Sequence, residues 1–265
     1  EQVDKLDLKD DVLRRANGFY TYFAADIAYH RNKLEKRGFS KAINIWGADH
    51  HGHVARLQAA LDGLGLDGSH RLVVVLMQLV NLLQDGQPVR MSKRSGKAIA
   101  LHDLLDEISV DAARYFFNSR SSTSPLDFDL DLAVREDSDN PVYYVQYAHA
   151  RICSMVRKMA EEGVAVPAAA AVDATLLAEP EEKALLKALS ELPEEIRLAA
   201  RDYDPSRINR YLVELAGSFH RFYNTCRCMV DNAALRDARL KLADTTRAVI
   251  ADGLKLLGVS APEKM

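Results

Sequence analysis

The chain has 265 residues with 35 basic and 38 acidic side chains and 48% hydrophobic residues, a composition typical of folded soluble proteins and not of disordered or fibrous ones. It contains neither the roughly 20 uninterrupted apolar residues that cross a bilayer nor a signal-peptide pattern, and its three cysteines are too irregularly spaced for a disulfide framework or a zinc site. We therefore expect a cytoplasmic protein with no membrane contact and no structural metal.

The first 110 residues alternate between helical and strand patterns. In chain order, they predict a helix over about 17–36, a strand over 42–46, a helix capped by Asp49 and ending at 63, a buried strand within 72–83 and a turn at 85–86. Such alternation is typical of a parallel α/β sheet. The sequence opens with polar residues and a helix and lacks G-x-G-x-x-G and G-x-x-x-x-G-K, so we expect the first half of a nucleotide-binding sheet to be missing.

Strand signals stop after about Val110, and the remaining chain is predicted to be helical. The predicted helices cover 111–119, 142–161, 181–201, 205–230 and 235–257, with a long loop over 163–178. The predicted fold class is therefore α/β, with an α/β part followed by an all-α bundle.

A basic segment follows the predicted turn. Four cations lie within the eight positions from Arg90 to Lys97, with no acid among them. Such a loop can surround a polyphosphate and offset charge that develops on a leaving group. The alternative is a solvated basic turn after a hairpin. The order Met91-Ser92-Lys93-Arg94-Ser95 resembles the KMSKS loop of class I aminoacyl-tRNA synthetases, with Arg90 in place of the usual first lysine.

A second segment, Gly47-Ala48-Asp49-His50-His51-Gly52-His53, follows the first predicted strand. Gly47 leaves room for a ligand near the backbone, and Asp49 can accept hydrogen bonds from ribose hydroxyls. One alternative is a metal site, because three imidazoles lie within four residues, and another is a helix N-terminus with exposed histidines. The segment resembles the adenylate-contacting motif of bacterial arginyl-tRNA synthetases.

A third feature lies on the first predicted helix. Tyr22, Asp26 and His30 are spaced four residues apart, which places them along one helix face. A carboxylate and a phenol suit a guanidinium group, which needs acceptors and forms bidentate pairs with carboxylates. The alternative is an amphipathic helix that carries a tyrosine and an aspartate at the edge of a core.

These three features occur in the order and spacing of arginyl-tRNA synthetases, and the segments 140–151, 219–224 and 234–265 resemble the family's DALR anticodon-binding bundle. The resemblance implies two domains. Residues 1–140 would be the second half of a Rossmann-type class I catalytic domain, and residues 141–265 an all-α DALR domain. The family's His-x-Gly-His signature is absent near the N-terminus, so the chain is interpreted as the C-terminal half of a longer enzyme, inactive alone.

The resemblance also implies a reaction, the ATP-dependent activation of arginine and its transfer to tRNA(Arg), with ATP as substrate, Mg²⁺ expected and a monomeric intact enzyme. By position it implies Lys93 and Ser92 as catalytic residues; Tyr22, Asp26 and His50 for arginine; Gly47, Asp49, His53, Met91 and Lys93 for ATP; and Tyr144, Tyr147, Tyr223 and Met265 for tRNA. For each tyrosine the alternative is packing within the bundle.

Two other functions remain open from the sequence. One is a non-catalytic tRNA-binding module that keeps the bundle and a vestigial sheet. The other is a class I synthetase for another amino acid. Asp26 argues against an apolar substrate, because a buried carboxylate without a cation is costly.

Overall fold

The computed structural model of the protein describes residues 9–89 and 99–265. The chain divides into two compact units, the first comprising Glu1–Leu79 with Ser122–Pro125 and the second Val80–Ser121 with Leu126–Met265. The basic segment with Met91, Ser92 and Lys93 lies outside the described residues, so the roles assigned to it stay predictions. Within the described ranges, no helix is long and apolar enough to cross a membrane.

The first unit is a strand–helix–strand unit preceded by a helix. Its elements are α1 (Tyr22–Arg31), which continues as a π-helical turn (Asn32–Lys36), β1 (Ala42–Gly47), α2 (His51–Gly63), the short α3 (Gly68–Arg71) and β2 (Leu72–Met77). The two strands are parallel, in register from Ala42 beside Leu72 to Gly47 beside Met77. The predicted parallel α/β arrangement is therefore confirmed for this part of the chain.

Helix α1 begins five residues later than the sequence predicts. Gly18 has a φ of 84°, a conformation that ends regular structure, and the hydroxyl of Thr21 accepts a hydrogen bond from the amide of Ala24 at 3.3 Å. Thr21 is therefore the helix cap. Behind the strands, a small core forms from side chains of the π-helical turn, α2 and β2, including Leu34, Leu57, Leu61 and Leu72.

The second unit combines a small sheet with a helical bundle. Its elements are β3 (Val80–Gln84), β4 (Gln87–Val89), α4 (Leu101–Glu107), α5 (Val110–Phe117), β5 (Leu126–Asp129), α6 (Leu130–Ala133), α7 (Pro141–Glu161), α8 (Pro180–Asp202), α9 (Ser206–Thr225) and α10 (Ala233–Leu257). The predicted long loop between α7 and α8 holds two 3₁₀ turns (Ala169–Ala171 and Ala174–Leu176).

The sheet of the second unit corrects the sequence analysis in one respect. β3 pairs antiparallel with β4 through the predicted turn, where Asp85 and Gly86 both have positive φ. On its other side β3 pairs in parallel with β5. The expectation that strands stop after Val110 is therefore wrong. β5 has four residues, and only Leu126 and Phe128 are apolar and buried, so its alternation is too short to detect.

The bundle is formed by α7 to α10, and its core is continuous with α5 and the sheet. The inner face of α9 is fully buried at Leu212, Leu215, Phe219 and Phe222. Helix α10 approaches α9 closely at Gly253, where an added Cβ would lie 2.6 Å from Cδ2 of Leu212. This helical architecture matches the predicted all-α bundle, although α9 ends at Thr225, earlier than the predicted residue 230.

A buried ion pair holds α8, α10 and the loop after α9 together. Nε of Arg239 donates to Oε1 of Glu182 at 2.6 Å, and Nη1 of Arg239 donates to the carbonyl of Arg227 at 2.8 Å. The second carboxylate oxygen of Glu182 accepts from the amide of Glu179 at 2.9 Å, which caps α8. Both side chains are almost completely buried, so neither charge has water as a replacement partner.

Replacing Glu182 with alanine should therefore lower the free energy of unfolding by about 3–5 kcal/mol, because Arg239 would be left buried without its partner. Urea unfolding followed by circular dichroism measures this. The matched control on the same helix is Glu191→Ala, which removes an exposed carboxylate paired with Lys187 at 3.9 Å and should cost less than about 1 kcal/mol. Equal losses in the two variants would contradict this account of the pair.

Candidate functional site

His53 brings together two of the predicted site segments in the first unit. It lies in the first turn of α2, and its ring contacts Phe23 of α1 and Trp46 of β1, with centroid distances of 5.1 and 5.5 Å. Its Nε2 lies 3.4 Å from Oδ2 of Asp26. Asp26 and His53, which the sequence assigns to different ligands, are therefore neighbours.

The backbone beneath Asp26 is fixed by a buried histidine. Nδ1 of His30 donates to the carbonyl of Asp26 at 2.8 Å, and Nε2 of His30 accepts from Nδ2 of Asn44 on β1 at 2.8 Å. These two partners require the neutral Nδ1–H tautomer. His30 is thus a structural residue that ties α1 to β1. It does not share an exposed face with Tyr22, a residue that is 89% exposed.

The segment after β1 differs in two ways from the sequence analysis. Asp49 does not cap α2, because a 3₁₀ turn (Ala48–His50) precedes the helix and His50 occupies the cap position without a side-chain hydrogen bond. The space at Gly47 is used by the chain itself, since an added Cβ would lie 2.5 Å from Oδ1 of Asp49. Asp49 and His50 are both exposed, with 3.6 Å between Oδ2 and Nε2.

The three neighbouring imidazoles have three different partners. His50 lies against Asp49, Nδ1 of His51 donates to the carbonyl of Ala48 at 3.2 Å, and His53 lies against Asp26. In the described part of the chain, no group of three His, Cys, Asp or Glu side chains is placed to hold a metal ion. The geometry therefore favours separate polar contacts here.

The second unit brings the three predicted tRNA-binding tyrosines into one cluster. Tyr144 of α7 packs on His220 of α9 with 4.9 Å between ring centroids, and Tyr147 lies 6.2 Å from the same ring. The guanidinium of Arg151 lies 4.9 Å from the ring centroids of both Tyr147 and Tyr223. Arg151 and His220 were not among the residues predicted from the sequence for this site. The four-residue spacing from Tyr147 to Arg151 was the available signal.

The C-terminal residues are held along α7, which brings Met265 to this cluster. The amide of Ser260 donates to Oδ1 of Asp111 at 3.1 Å, and Nε2 of Gln146 donates to the carbonyl of Ser260 at 3.0 Å. One turn further along α7, Nδ1 of His149 donates to the carbonyl of Pro262 at 2.9 Å. These bonds fix the direction of the last residues.

A cavity of about 510 Å³ lies between α7, α9 and these C-terminal residues. Its walls carry three of the predicted tRNA-binding residues, four cations and one acid: Tyr147, Tyr223, Met265, Arg151, Arg157, Lys158, Lys264 and Glu263. Aromatic faces combined with cations are the features that bind unpaired nucleotides, because rings stack on bases and cations pair with phosphates.

Burial and the neighbouring Arg151 cation lower the pKa of His220 to about 4. The imidazole is therefore neutral at pH 7, and the positive charge around the cavity comes from the arginine and lysine side chains. Nη1 of Arg151 lies 3.5 Å from Nδ1 of His220, and Nη2 donates to the hydroxyl of Tyr147 at 3.2 Å. A neutral His220 thus lets Arg151 stay between the tyrosines without like-charge repulsion.

A family match, sequence relatives and a solved structure all relate this chain to the same class of protein. Residues 145–265 match the DALR anticodon binding domain family. The sequence is 56% identical over 257 residues to the arginine–tRNA ligase of Ruminiclostridium cellulolyticum and 56% identical over 262 residues to that of Desulfitobacterium hafniense, covering 97% and 98% of the chain. A Campylobacter jejuni crystal structure described as an arginyl-tRNA synthetase superposes on 100% of the chain with a TM-score of 0.87 and 39% identity. The chain matches the C-terminal part of the arginyl-tRNA synthetase family.

The chain spans about half the length of the arginyl-tRNA synthetases it matches. It covers 45% of the R. cellulolyticum ligase, 46% of the D. hafniense ligase and 56% of the C. jejuni protein. The Thermus thermophilus arginyl-tRNA synthetase shares the fold, with a TM-score of 0.82 at 24% identity over 96% of the chain and 51% of its own.

The anticodon-binding domain match begins within α7, near the predicted domain boundary at residue 140. The compact units divide elsewhere, because residues 80–89 and 99–121 belong to the same unit as the bundle. The division into a catalytic part over 1–140 and an anticodon-binding domain over 141–265 therefore stays a prediction.

His220 should make the second unit less stable in acid. Since its pKa is lowered in the folded state from an ordinary 6.5 to about 4, the unfolded chain binds more protons between these values, and stability falls as the pH drops through this window. Partial exposure of the ring limits the loss to about 1–2 kcal/mol relative to His220→Gln.

Urea unfolding at several values between pH 7 and pH 4 measures this difference. His102→Gln, which removes an exposed imidazole from the same unit, is the control and should follow the wild type. If the free energy of unfolding of His220→Gln also changed with pH as that of the wild type does, the lowered pKa of His220 would be ruled out as a cause of the acid sensitivity.

Proposed function

We propose that this chain is the C-terminal part of an arginine–tRNA ligase that activates arginine with ATP and transfers it to tRNA(Arg) in the cytoplasm. The observation that carries the proposal is the cluster of Tyr147, Arg151, Tyr223 and Met265 around one cavity, inside the region that matches an anticodon-binding domain. In the reaction, the arginine carboxylate attacks the α-phosphate of ATP, pyrophosphate leaves, and the arginyl group passes to the 3′-terminal ribose of the tRNA.

Arginine recognition is assigned to the first unit. Asp26 offers a carboxylate that is 46% exposed, and we assign the exposed Tyr22 of α1 and the exposed His50 of the turn after β1 to the same ligand. A guanidinium presents five donors and no acceptor, so a carboxylate is its natural partner. The same charge disfavours apolar amino acids, which would leave it desolvated and unpaired.

The ATP assignments follow the end of β1 and the basic segment. Gly47 and Asp49 are assigned to the adenylate, and Met91, Ser92 and Lys93 to the nucleotide and its phosphates, with Lys93 and Ser92 as catalytic residues. A lysine directed at the phosphates would stabilise the charge that develops as pyrophosphate leaves. Mg²⁺ is expected to arrive with ATP as part of the substrate, and we assign it no protein ligand.

The tRNA is assigned to the second unit. Tyr144, Tyr147 and Tyr223 offer ring faces on which unpaired anticodon bases can stack, at about 1–3 kcal/mol for each base. Met265 closes one side of the cavity, and the surrounding cations would pair with backbone phosphates. The family resemblance also implies a monomer, and we propose that the intact enzyme acts as one.

A hybrid enzyme tests the proposal. This chain replaces the matching segment of the R. cellulolyticum ligase, and the hybrid enzyme should charge tRNA with arginine. Lys93→Ala in the hybrid should lower the rate of arginine activation about 100-fold or more, because one directed donor to the reacting charge contributes that much. Lys97→Ala removes the same charge from the same segment and is the matched control.

A control hybrid has the D. hafniense segment at the same position in the R. cellulolyticum ligase. Its activity shows whether that ligase tolerates replacement of the segment. A hybrid that binds tRNA(Arg) but forms no arginyl-adenylate, while the D. hafniense hybrid is active, would contradict the ligase and favour a non-catalytic tRNA-binding module. Unchanged activation after Lys93→Ala would refute the role given to the basic segment.

A further inference from the structure

The placement of His53 differs from the role that family resemblance gives it. Resemblance assigns His53 to the adenylate, whereas the structure places its Nε2 3.4 Å from Oδ2 of Asp26, the residue assigned to the arginine guanidinium. The His53 side chain is 28% exposed and the Asp26 side chain 46% exposed. The less exposed partner is therefore the histidine, and the more exposed one is the carboxylate that would meet substrate.

The ring of His53 is held by three separate elements. Its backbone belongs to the first turn of α2, Phe23 of α1 meets it edge-on at 68°, and Trp46 of β1 lies against it at 39°. A side chain wedged between two rings has already lost its rotamer freedom, so it can orient a neighbour without further entropic cost.

The backbone of Asp26 is fixed by His30, but this bond does not fix the orientation of the Asp26 carboxylate. The His30 bond to the Asp26 carbonyl sets the position of the main chain, while the side chain still has two rotatable bonds and faces solvent. A contact between Nε2 of His53 and Oδ2 restricts those rotations. It also leaves Oδ1 and its lone pairs available to a guanidinium.

We infer that His53 is a positioning residue for arginine recognition, which holds the Asp26 carboxylate in the orientation that a guanidinium requires, and that it is not an ATP ligand. Its Nε2 already lies against Asp26, and its ring already contacts Phe23 and Trp46. This inference rests on the proposed function, because Asp26 must be the arginine-binding carboxylate.

The test uses the hybrid enzyme described above with two substitutions. His53→Phe keeps a ring between Phe23 and Trp46 but removes Nε2, and His53→Gln places an amide nitrogen close to the position of Nε2. We expect His53→Phe to raise KM for arginine about tenfold, with KM for ATP changed less than about twofold, as is typical when a supporting contact to a ligand-binding residue is lost. His53→Gln should restore most of the arginine affinity.

The possible outcomes distinguish the positioning role of His53 from the proposed ligase function. A rise in KM for ATP equal to that for arginine in His53→Phe would make His53 an ATP ligand and overturn the inference. Unchanged KM values for both substrates, or equal defects in His53→Phe and His53→Gln, would show that the ring only packs and would overturn it as well. Failure of the unsubstituted hybrid to charge tRNA, when the D. hafniense hybrid is active, would reject the proposed function itself.

Discussion

The geometry of the proposed tRNA site depends on the helical periodicity of α7. Residues at 144, 147 and 151 of this 21-residue helix recur at the spacing of one face, so Tyr144, Tyr147 and Arg151 all meet α9. Gln146 and His149 fall on a neighbouring face, and both donate hydrogen bonds to the chain that follows α10. One helix therefore fixes both the aromatic wall and the C-terminal residues that close the cavity. A break in α7 would separate them. The start of the helix is capped by the side chain of Asn140 and has Pro141 in its first turn.

In the first unit, three elements, α1, β1 and α2, together position the candidate site residues. Helix α2 follows β1 after a short 3₁₀ turn, so its start lies at the carboxyl end of the parallel pair, where ligands bind in open α/β sheets. Helix α1 is attached to β1 through the buried His30–Asn44 hydrogen bond, so Asp26 meets His53 at that end. Ile43 and Ile45 on β1 are 50% and 70% exposed, an unusual exposure for parallel strands, which are normally covered on both faces.

Much of this architecture could be predicted from the sequence because it depends on long periodic patterns. The four bundle helices extend over 20 to 25 residues each, which gives their apolar stripes many repeats, and the Asp85–Gly86 turn has a specific conformational signature. β5 could not be predicted because its pattern covers only four residues and its partner, β3, is distant in sequence. The segments that carry the site residues could be predicted from the sequence, but the contacts between those segments could not. Whether Asp26 meets His53, or Arg151 lies between two tyrosines, depends on how helices pack, and no local pattern records that.

The central claim is that the second unit reads the anticodon of arginine tRNAs. The most direct test is to mix this chain with total tRNA at a salt concentration of about 150 mM, recover the complex and sequence the bound tRNA, because phosphate contacts alone bind without selectivity at low salt. The account predicts strong enrichment of arginine isoacceptors, loss of that enrichment in Tyr223→Ala and its retention in Tyr223→Phe, which keeps the stacking ring. Equal recovery of all tRNAs, or the same enriched pool with Tyr223→Ala, would contradict it.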